Sequence, residues 1–308
     1  MLPFLQQIAS LFYKEYGTGI SRMAFVFPNQ RAGLFFRKYL AEIAETPLFS
    51  PTILTIQDLF LQLSDRRVAD RIRTLFKLYE QYSRLSGSPE SFDEFFYWGE
   101  MLLNDFDDID KYRVDARQLF TLVTDIREIE NDFTYLSREQ IEAIRTFWSS
   151  FYPKGDSPNQ QEFLKVWQLL YALYEGLRAD LAAENKGYEG MIFREVVECL
   201  DEERCRRKLD YEKIVFVGLN ALSKVDEELL LSLKKLGIAD FYWDYSSEKV
   251  MDKDNKASYF ADRNRLLFPS EHSLEKEEKS EAQIEVIGIP SGIGQAKQVY
   301  SILDAWQK

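Results

Sequence analysis

The sequence contains little of the side-chain chemistry on which most catalytic sites depend. Its 308 residues include one histidine and two cysteines. Two cysteines, Cys199 and Cys205, are too few for a disulfide scaffold, so a reducing compartment, the cytoplasm, is predicted. No apolar run approaches the roughly 20 residues that a membrane-spanning helix needs, and the N-terminus lacks the layout of a signal peptide. We therefore expect no membrane association and no extracellular disulfide-rich fold.

The few residues suited to catalysis or metal binding are poorly placed for either role. His272 lies in the charged run Ser270-Glu271-His272-Ser273, and we interpret it as solvated and without a role. Cys199 and Cys205 lie six residues apart on a predicted helix, which is poor geometry for sharing a metal ion. We interpret both as ordinary buried or half-buried thiols. The sequence therefore predicts no catalytic residues, no cofactor and no metal site in this chain.

Motifs for nucleotide hydrolysis and for DNA cleavage are missing or weak. A phosphate-binding loop needs G-x-x-x-x-G-K-[ST], and the sequence has no Gly-Lys pair. The apolar run 214–217 continues into Gly218-Leu219-Asn220 without a carboxylate that could hold Mg²⁺. Asp254-Asn255-Lys256 and Glu277-Glu278-Lys279 match part of a nuclease motif by letters, but both lie in charge-dense stretches, so we interpret them as solvated charge. Neither ATP hydrolysis nor nuclease activity is predicted for this chain.

The formal charge of -12 is unevenly distributed along the sequence. Residues 1–60 carry 5 basic and 4 acidic side chains, whereas residues 61–209 carry 21 and 29. An acidic total argues against a stand-alone, non-specific nucleic-acid binder, because phosphate contacts need clustered Lys and Arg. The N-terminal segment is therefore the predicted anion-facing surface.

Hydrophobic periodicity predicts an α/β domain that is interrupted by a long helical insertion. Predicted strands over 23–27, 51–56, 213–219 and 238–244 alternate with helices over 5–16, 31–44, 57–63 and 224–236, and Ser223 is a predicted N-cap. Between residues 65 and 205 the pattern is helical throughout, with helices predicted over 72–82, 92–105, 116–132, 138–148, 159–185 and 192–203. A helix over 259–267, a strand over 283–289 and a helix over 295–307 follow. Three separate domains are the alternative, but they would leave two incomplete sheets.

Many of the aromatic residues lie in the predicted insertion, including the run Phe95-Phe96-Tyr97-Trp98. Such residues can form a stacking platform for nucleic-acid bases. Since they follow helical register, we interpret them as the core of a helical bundle.

Four segments, taken in order, resemble one protein family. Phe25-Val26-Phe27-Pro28-Asn29-Gln30-Arg31 is similar to the "V-P-x-Q" strand and turn of AddB/RexB-type subunits of bacterial helicase–nucleases. Residues 98–110 (WGEMLLNDFDDID) resemble the tryptophan-to-"DF-x-x-ID" signature of the inserted helical subdomain. Residues 216–223 (FVGLNALS), with Asp226-Glu227, are similar to its "F-x-G-F-x-x-(L/F)-(S/T)-x-x-E" strand and helix. Residues 284–302, with Gln295-Ala296 and Val299, resemble the start of the second motor-like domain.

The resemblance implies a superfamily-1 helicase-like fold, a P-loop-type parallel sheet without its phosphate loop. Residues 1–64 and 206–282 would form the first motor-like domain, residues 65–205 its helical insertion, and residues 283–308 the truncated start of the second. The chain would then be an N-terminal fragment of a DNA-repair exonuclease subunit. The parent's PD-(D/E)XK nuclease domain, with Mg²⁺ and a 4Fe–4S cluster, would lie beyond residue 308. The implied partners are single-stranded DNA and a helicase–nuclease subunit of AddA/RexA type.

The residues expected to contact DNA are Asn29, Gln30 and Arg31, together with Ser291 and Gly292. Asn and Gln can hydrogen-bond base edges, Arg can hold a phosphate, and helix N-termini add amide donors. The alternative is that Asn29 only caps a helix, Arg31 is a surface charge and the Ser291 segment is a plain turn. The family's next contact region corresponds to residues 55–58, where this sequence has Ile56 and Asp58 instead of an aromatic and an Arg, so sequence-specific pausing is not expected. A second hypothesis for the chain is an acidic helical scaffold that docks a partner helicase subunit without contacting DNA.

Overall fold

The structure is a computed structural model that describes residues 2–87, 89–124, 158–244, 256–274 and 285–307. Two compact units are present, Leu2–Glu275 and a C-terminal unit that includes Lys276–Lys308. The described helices are α1 (Phe4–Tyr16), α2 (Gln30–Ile43), α3 (Ile56–Leu63), α4 (Arg71–Ser86), α5 (Phe92–Lys111), α6 (Ala116–Thr124), α7 (Pro158–Ala183), α8 (Glu189–Glu198), α9 (Glu202–Lys208), α10 (Lys224–Lys235), α11 (Tyr259–Leu267) and α12 (Gly292–Gln307). The strands are β1 (Ala24–Phe27), β2 (Thr52–Thr55), β3 (Arg67–Val68), β4 (Lys186–Gly187), β5 (Ile214–Val217) and β6 (Ala239–Tyr242).

A four-stranded parallel sheet with the order β2-β1-β5-β6 forms the centre of the larger unit. Every residue of β1 and β5 is buried, as the continuous apolar runs predict for strands covered on both faces. β2 lies beside β1 on one side, and β5, which comes much later in the sequence, lies beside β1 on the other side. The direction of strand addition therefore reverses between β1 and β5, which is the position where open parallel sheets bind ligands. The predicted α/β class is confirmed.

Each face of the sheet has its own hydrophobic core because successive strand residues point to opposite faces. Phe25 and Val215 pack on one face with α1 and α2, while Val26 and Phe216 pack on the other with α3, α8 and α10. A third core lies within the helical part, among α4, α5, α6, α7 and the start of α8. Helix α8 joins two of these cores, since Met191 packs into the helical core and Ile192 into the sheet core.

Three predicted features differ from the structure. Residues 285–289 of the predicted strand 283–289 form no strand. The single helix predicted over 192–203 is two helices, because Asp201 accepts a hydrogen bond from the Arg204 backbone N–H at 2.7 Å and begins α9. Tyr97, predicted as core, is 80% exposed. The interpretation of the neighbouring Phe95 as core is confirmed.

Other predictions lie partly or wholly outside the described residues. These are the helix over 138–148, the second half of the helix over 116–132 and the two nuclease-like triplets that begin at Asp254 and Glu277. The proposed domain boundaries at 65, 206 and 283 stay predictions. Within the described ranges, no helix has both the length and the apolar character required to cross a bilayer.

Candidate functional site

A pocket of about 500 Å³ lies at the carboxyl ends of three parallel strands. The residues that follow β1, β2 and β5 form one side, and the last residue of α5 and the start of α8 form the other. Its lining consists of Pro28, Asn29, Gln30, Thr55, Ile56, Gln57, Asp58, Lys111, Glu189, Phe193, Ser223 and Asp226. The pocket therefore lies where the strand order reverses, which is the usual position of a ligand site in an open parallel sheet.

Two helices that begin at the pocket are capped by their own side chains. The Thr55 backbone N–H donates to Asp58 Oδ2 at 2.8 Å, and the Thr55 hydroxyl accepts from the Asp58 backbone N–H at 3.2 Å. Ser223 and Asp226 form the same reciprocal pair at the start of α10. Each capping box puts a carboxylate where an anionic ligand would otherwise meet free backbone N–H groups. A phosphate is therefore not expected to bind at the N-termini of α3 and α10.

The predicted DNA-contact residues Asn29 and Gln30 line the pocket, whereas Arg31 does not. Asn29 Oδ1 accepts a hydrogen bond from the Ala32 backbone N–H at 3.0 Å, so Asn29 is the N-cap of α2. This use of Oδ1 leaves the Asn29 amide N–H groups as ligand donors. Arg31 is exposed, and its guanidinium lies 5.8 Å from the centre of the Phe35 ring. Both alternatives for this turn thus remain compatible with the structure, because Asn29 caps the helix and also lines the pocket.

Glu189 connects the two sides of the pocket. Its carboxylate accepts a hydrogen bond from Gln57 Nε2 on the sheet side and lies 3.3 Å from Lys111 Nζ on the helical side. The ammonium group of Lys111 also lies 2.7 Å from Asp107 and 5.7 Å from the centre of the Phe193 ring. Burial alone would lower the pKa of Lys111, but the hydrogen bond to Asp107 and the nearby Glu189 raise it overall. Lys111 is therefore charged and held in place at neutral pH.

The pocket carries three carboxyl groups, Asp58, Glu189 and Asp226, and one ammonium group, that of Lys111. Burial raises the pKa of Asp226, although its hydrogen bonds with Ser223 act in the opposite direction. An anionic phosphate would face unfavourable charges here, whereas neutral donors and acceptors would find carboxylate and amide partners. The arrangement therefore suits a polar, uncharged group such as the edge of a nucleobase.

The wall of the pocket is fixed by a fully buried carboxylate, Asp110, in the predicted family signature. Asp110 accepts hydrogen bonds from Tyr174 at 2.6 Å, Tyr188 at 2.5 Å and Arg178 at 2.6 Å. Burial, followed by the charge of Asp110, raises the pKa of both tyrosines. Because the residues that follow Asp110 and Tyr188 are the lysine and glutamate of the pocket, this network sets their separation. The signature residue thus has a structural role that positions the site.

The remaining sequence candidates are not among the residues that line the pocket. Ser291 belongs to the C-terminal unit, where its hydroxyl accepts from the Gly294 backbone N–H at 3.1 Å and begins α12. His272 Nε2 lies 3.1 Å from a Glu15 carboxylate oxygen. The histidine side chain therefore contacts another residue, in addition to the solvent exposure that we predicted. Cys205 is buried as predicted, but Cys199 is exposed, so its interpretation as a buried or half-buried thiol is wrong. Among the described residues, no group of three His, Cys, Asp or Glu side chains is arranged to hold a metal ion.

Sequence reasoning did not identify Lys111, Glu189 or Phe193 as site residues. Lys111 directly follows the quoted signature 98–110, and Glu189 begins α8 after a buried Tyr188, but neither position has a recognisable motif of its own. No family model matches the chain, and no curated protein is significantly similar to it. The site is therefore interpreted from its geometry and from the motif resemblance.

Proposed function

We propose that this chain is the non-catalytic, helicase-like part of an AddB/RexB-like helicase–nuclease subunit, and that it guides single-stranded DNA in double-strand-break repair and recombination. One observation carries the proposal. Three of the four motif regions border the same pocket: Asn29-Gln30 lies within the first, Lys111 follows the second, and Ser223 ends the third. Chance matches scattered over nearly 200 residues would have no reason to converge on one site.

The chemistry of the pocket supports a base contact more than a phosphate contact. A volume of about 500 Å³ falls within the range of roughly 300–1,000 Å³ that is usual for small-ligand sites. The amides of Asn29, Gln30 and Gln57 can donate to and accept from a base edge, and Phe193 offers an apolar surface beside them. The phosphates would pass outside the acidic interior, near the exposed Arg31.

The resemblance also implies which other proteins and domains would act on the same DNA strand. A partner of AddA/RexA type would unwind the duplex, and a nuclease domain with Mg²⁺ and a 4Fe–4S cluster, elsewhere in the parent subunit, would cut the strand. The described residues would bind and direct the strand without taking part in either reaction.

A salt titration of single-stranded DNA binding tests the proposal. Fluorescence anisotropy of a labelled 20-nucleotide oligomer is measured between 50 and 200 mM NaCl for the wild type, Gln30→Ala and Arg31→Ala. Losing a base contact at Gln30 is expected to weaken binding by about tenfold, since a good base contact is worth about 1–3 kcal/mol. Arg31→Ala should reduce the slope of log K against log salt by about one.

Arg117 and Gln118 provide matched controls, because both side chains are exposed and lie outside the pocket. Arg117→Ala and Gln118→Ala should bind DNA as the wild type does. If the wild type shows no salt-dependent binding, or if the two pairs of variants behave alike, the DNA-guiding function is wrong. The first of these results would favour the scaffold without DNA contact.

A further inference from the structure

A group of large apolar side chains is exposed on the outer surface of α4 and α5. We call this surface the aromatic ridge, defined by Ile72, Phe76, Phe92, Phe96, Tyr97 and Met101. Tyr97 is 80% exposed and Met101 62% exposed, while Ile72 and Phe76 are about half exposed. Large contiguous apolar patches are unusual on a soluble surface and mark sites of interaction.

Ring contacts make the ridge continuous across the two helices. The rings of Phe76 on α4 and Phe92 on α5 stack with their centres 4.0 Å apart. Phe92 contacts Phe96 edge-on at 6.0 Å, and Phe96 contacts Tyr97 edge-on at 5.8 Å. The half-buried rings of Phe92 and Phe96 therefore connect the exposed rings of Phe76 and Tyr97 into one continuous apolar surface.

The charges that share the exposed side of α5 with the ridge are acidic, whereas on α4 Arg71 pairs with Glu100 and Arg73 is exposed. Asp93 precedes Tyr97 by one helical turn, and Asp105 follows Met101 by one turn, so they share the exposed side of α5 with the apolar residues. Asp108 lies on the same side. Across the ranges that the structure describes, none of these three aspartates forms an ion pair with Lys or Arg. Partial burial, and then the neighbouring Asp108, raise the pKa of Asp105.

We propose that the aromatic ridge is a docking surface for a basic amphipathic segment of another protein chain. Apolar residues of that segment would cover Tyr97 and Met101, and its Lys or Arg side chains would pair with Asp93, Asp105 and Asp108. The acidic residues of α5 disfavour a nucleic-acid backbone or an anionic membrane. The surface is separate from the DNA proposal, because α5 contributes only its last residue to the pocket.

A defined peptide tests the ridge directly. The probe is a labelled 18-residue helical peptide of leucine and lysine with its leucines at i, i+3, i+4 and i+7 spacing, and its affinity is measured by anisotropy at 50 and 200 mM NaCl. The double variant Tyr97→Ser/Met101→Ser should bind at least about tenfold more weakly, because exposed aromatic anchors dominate such contacts. Tyr259→Ser/Leu266→Ser is the matched control, as it removes a tyrosine and an aliphatic residue that are 62% and 85% exposed on α11.

The charge variant Asp105→Asn/Asp108→Asn keeps the ridge intact and should bind the peptide roughly threefold more weakly, with a smaller salt dependence. Equal affinity of the ridge variant and the α11 control would overturn the proposal, as would equally tight binding of a peptide with glutamate in place of each lysine. A wild-type dimer that Tyr97→Ser/Met101→Ser converts to a monomer in sedimentation would show that a second copy occupies the ridge, which also overturns it. Single-stranded DNA binding by the ridge variant should equal that of the wild type; loss of DNA binding would assign the ridge to the DNA interface instead.

Discussion

Replacing Asp110 by alanine should lower the free energy of unfolding much more than a substitution at an exposed position of the same helix. The carboxylate is completely buried and accepts hydrogen bonds from Tyr174, Tyr188 and Arg178, while Arg194 lies 3.4 Å away. Removing one partner of a buried ion pair typically costs about 3–5 kcal/mol, since the remaining charge is left uncompensated. Arg178 retains some solvent exposure and can rehydrate in part. We therefore expect a loss of about 4 kcal/mol from a total free energy of unfolding on the order of 5–15 kcal/mol.

Urea unfolding of the whole chain measures this loss. Tryptophan fluorescence and far-UV circular dichroism should both be recorded, because the chain contains several hydrophobic cores and its two-state behaviour has to be tested. Asp108→Ala is the matched control, since it removes an exposed aspartate from the same helix and should change the free energy of unfolding by less than about 0.5 kcal/mol. If Asp110→Ala and Asp108→Ala unfold at the same urea concentration, the buried network does not stabilise the fold and our reasoning is refuted.

A second substitution separates the lost ion pair from simple loss of volume. Adding Arg178→Met to Asp110→Ala removes the uncompensated charge and should recover part of the stability. A double variant that is less stable by the full sum of the single losses would show that the two side chains act independently.

Two further predictions concern close packing and pH. Gly190→Ala should destabilise the chain by about 1–3 kcal/mol in thermal unfolding, because a Cβ atom there would lie 2.3 Å from the Asp107 backbone oxygen. Hydrogen bonds from Lys186 and Lys77 lower the pKa of Glu184 from 4.5 to about 2. Since the folded-state pKa is the lower one, this group stabilises the fold above its unfolded-state pKa and loses that contribution as the pH falls towards 2. A carboxyl titration by NMR should give this low value, and Lys186→Met should raise it.

Each of these predictions has a control within the chain. Gly19→Ala should be tolerated, because the nearest atom to a Cβ there is 3.6 Å away and belongs to the flexible end of the Arg22 side chain. Equal destabilisation by both glycine substitutions would contradict the packing argument. An ordinary titration of Glu184 near pH 4.5 would show that the two lysines do not hold the carboxylate in solution.

The sheet and its caps could be predicted from the sequence because their causes are local. The apolar runs 24–27 and 214–217 predict strands that are buried on both faces. Ser223 followed by Asp226 is a recognisable capping box at the start of a helix. The break before α9 was missed although Asp201-Glu202-Glu203 is itself a helix-start signal. The exposure of Tyr97 follows from geometry, since four consecutive aromatic residues point in directions 100° apart and cannot all face one core.

The pocket required the structure because its two sides are distant in sequence. Asn29 and Gln30 were predicted as DNA contacts through the motif resemblance, whereas Lys111 meets Glu189 across 78 residues. No periodicity encodes such a contact, since it depends on how α5 packs against α8. The strand prediction from the alternating pattern was wrong over residues 285–289 for a similar reason. An alternating pattern forms a strand only if another strand provides backbone hydrogen-bond partners.

The strand order has a consequence for how the chain folds during synthesis. β1 pairs directly with β5, yet Ile214 is made long after Phe27 has left the ribosome. At about 5–20 residues per second, β1 would wait roughly ten to forty seconds for β5. During that time β1, whose residues are all buried in the finished sheet, lacks one of its two strand partners. The nascent chain is therefore most exposed to misfolding before β5 emerges, when chaperones would have the longest opportunity to bind it.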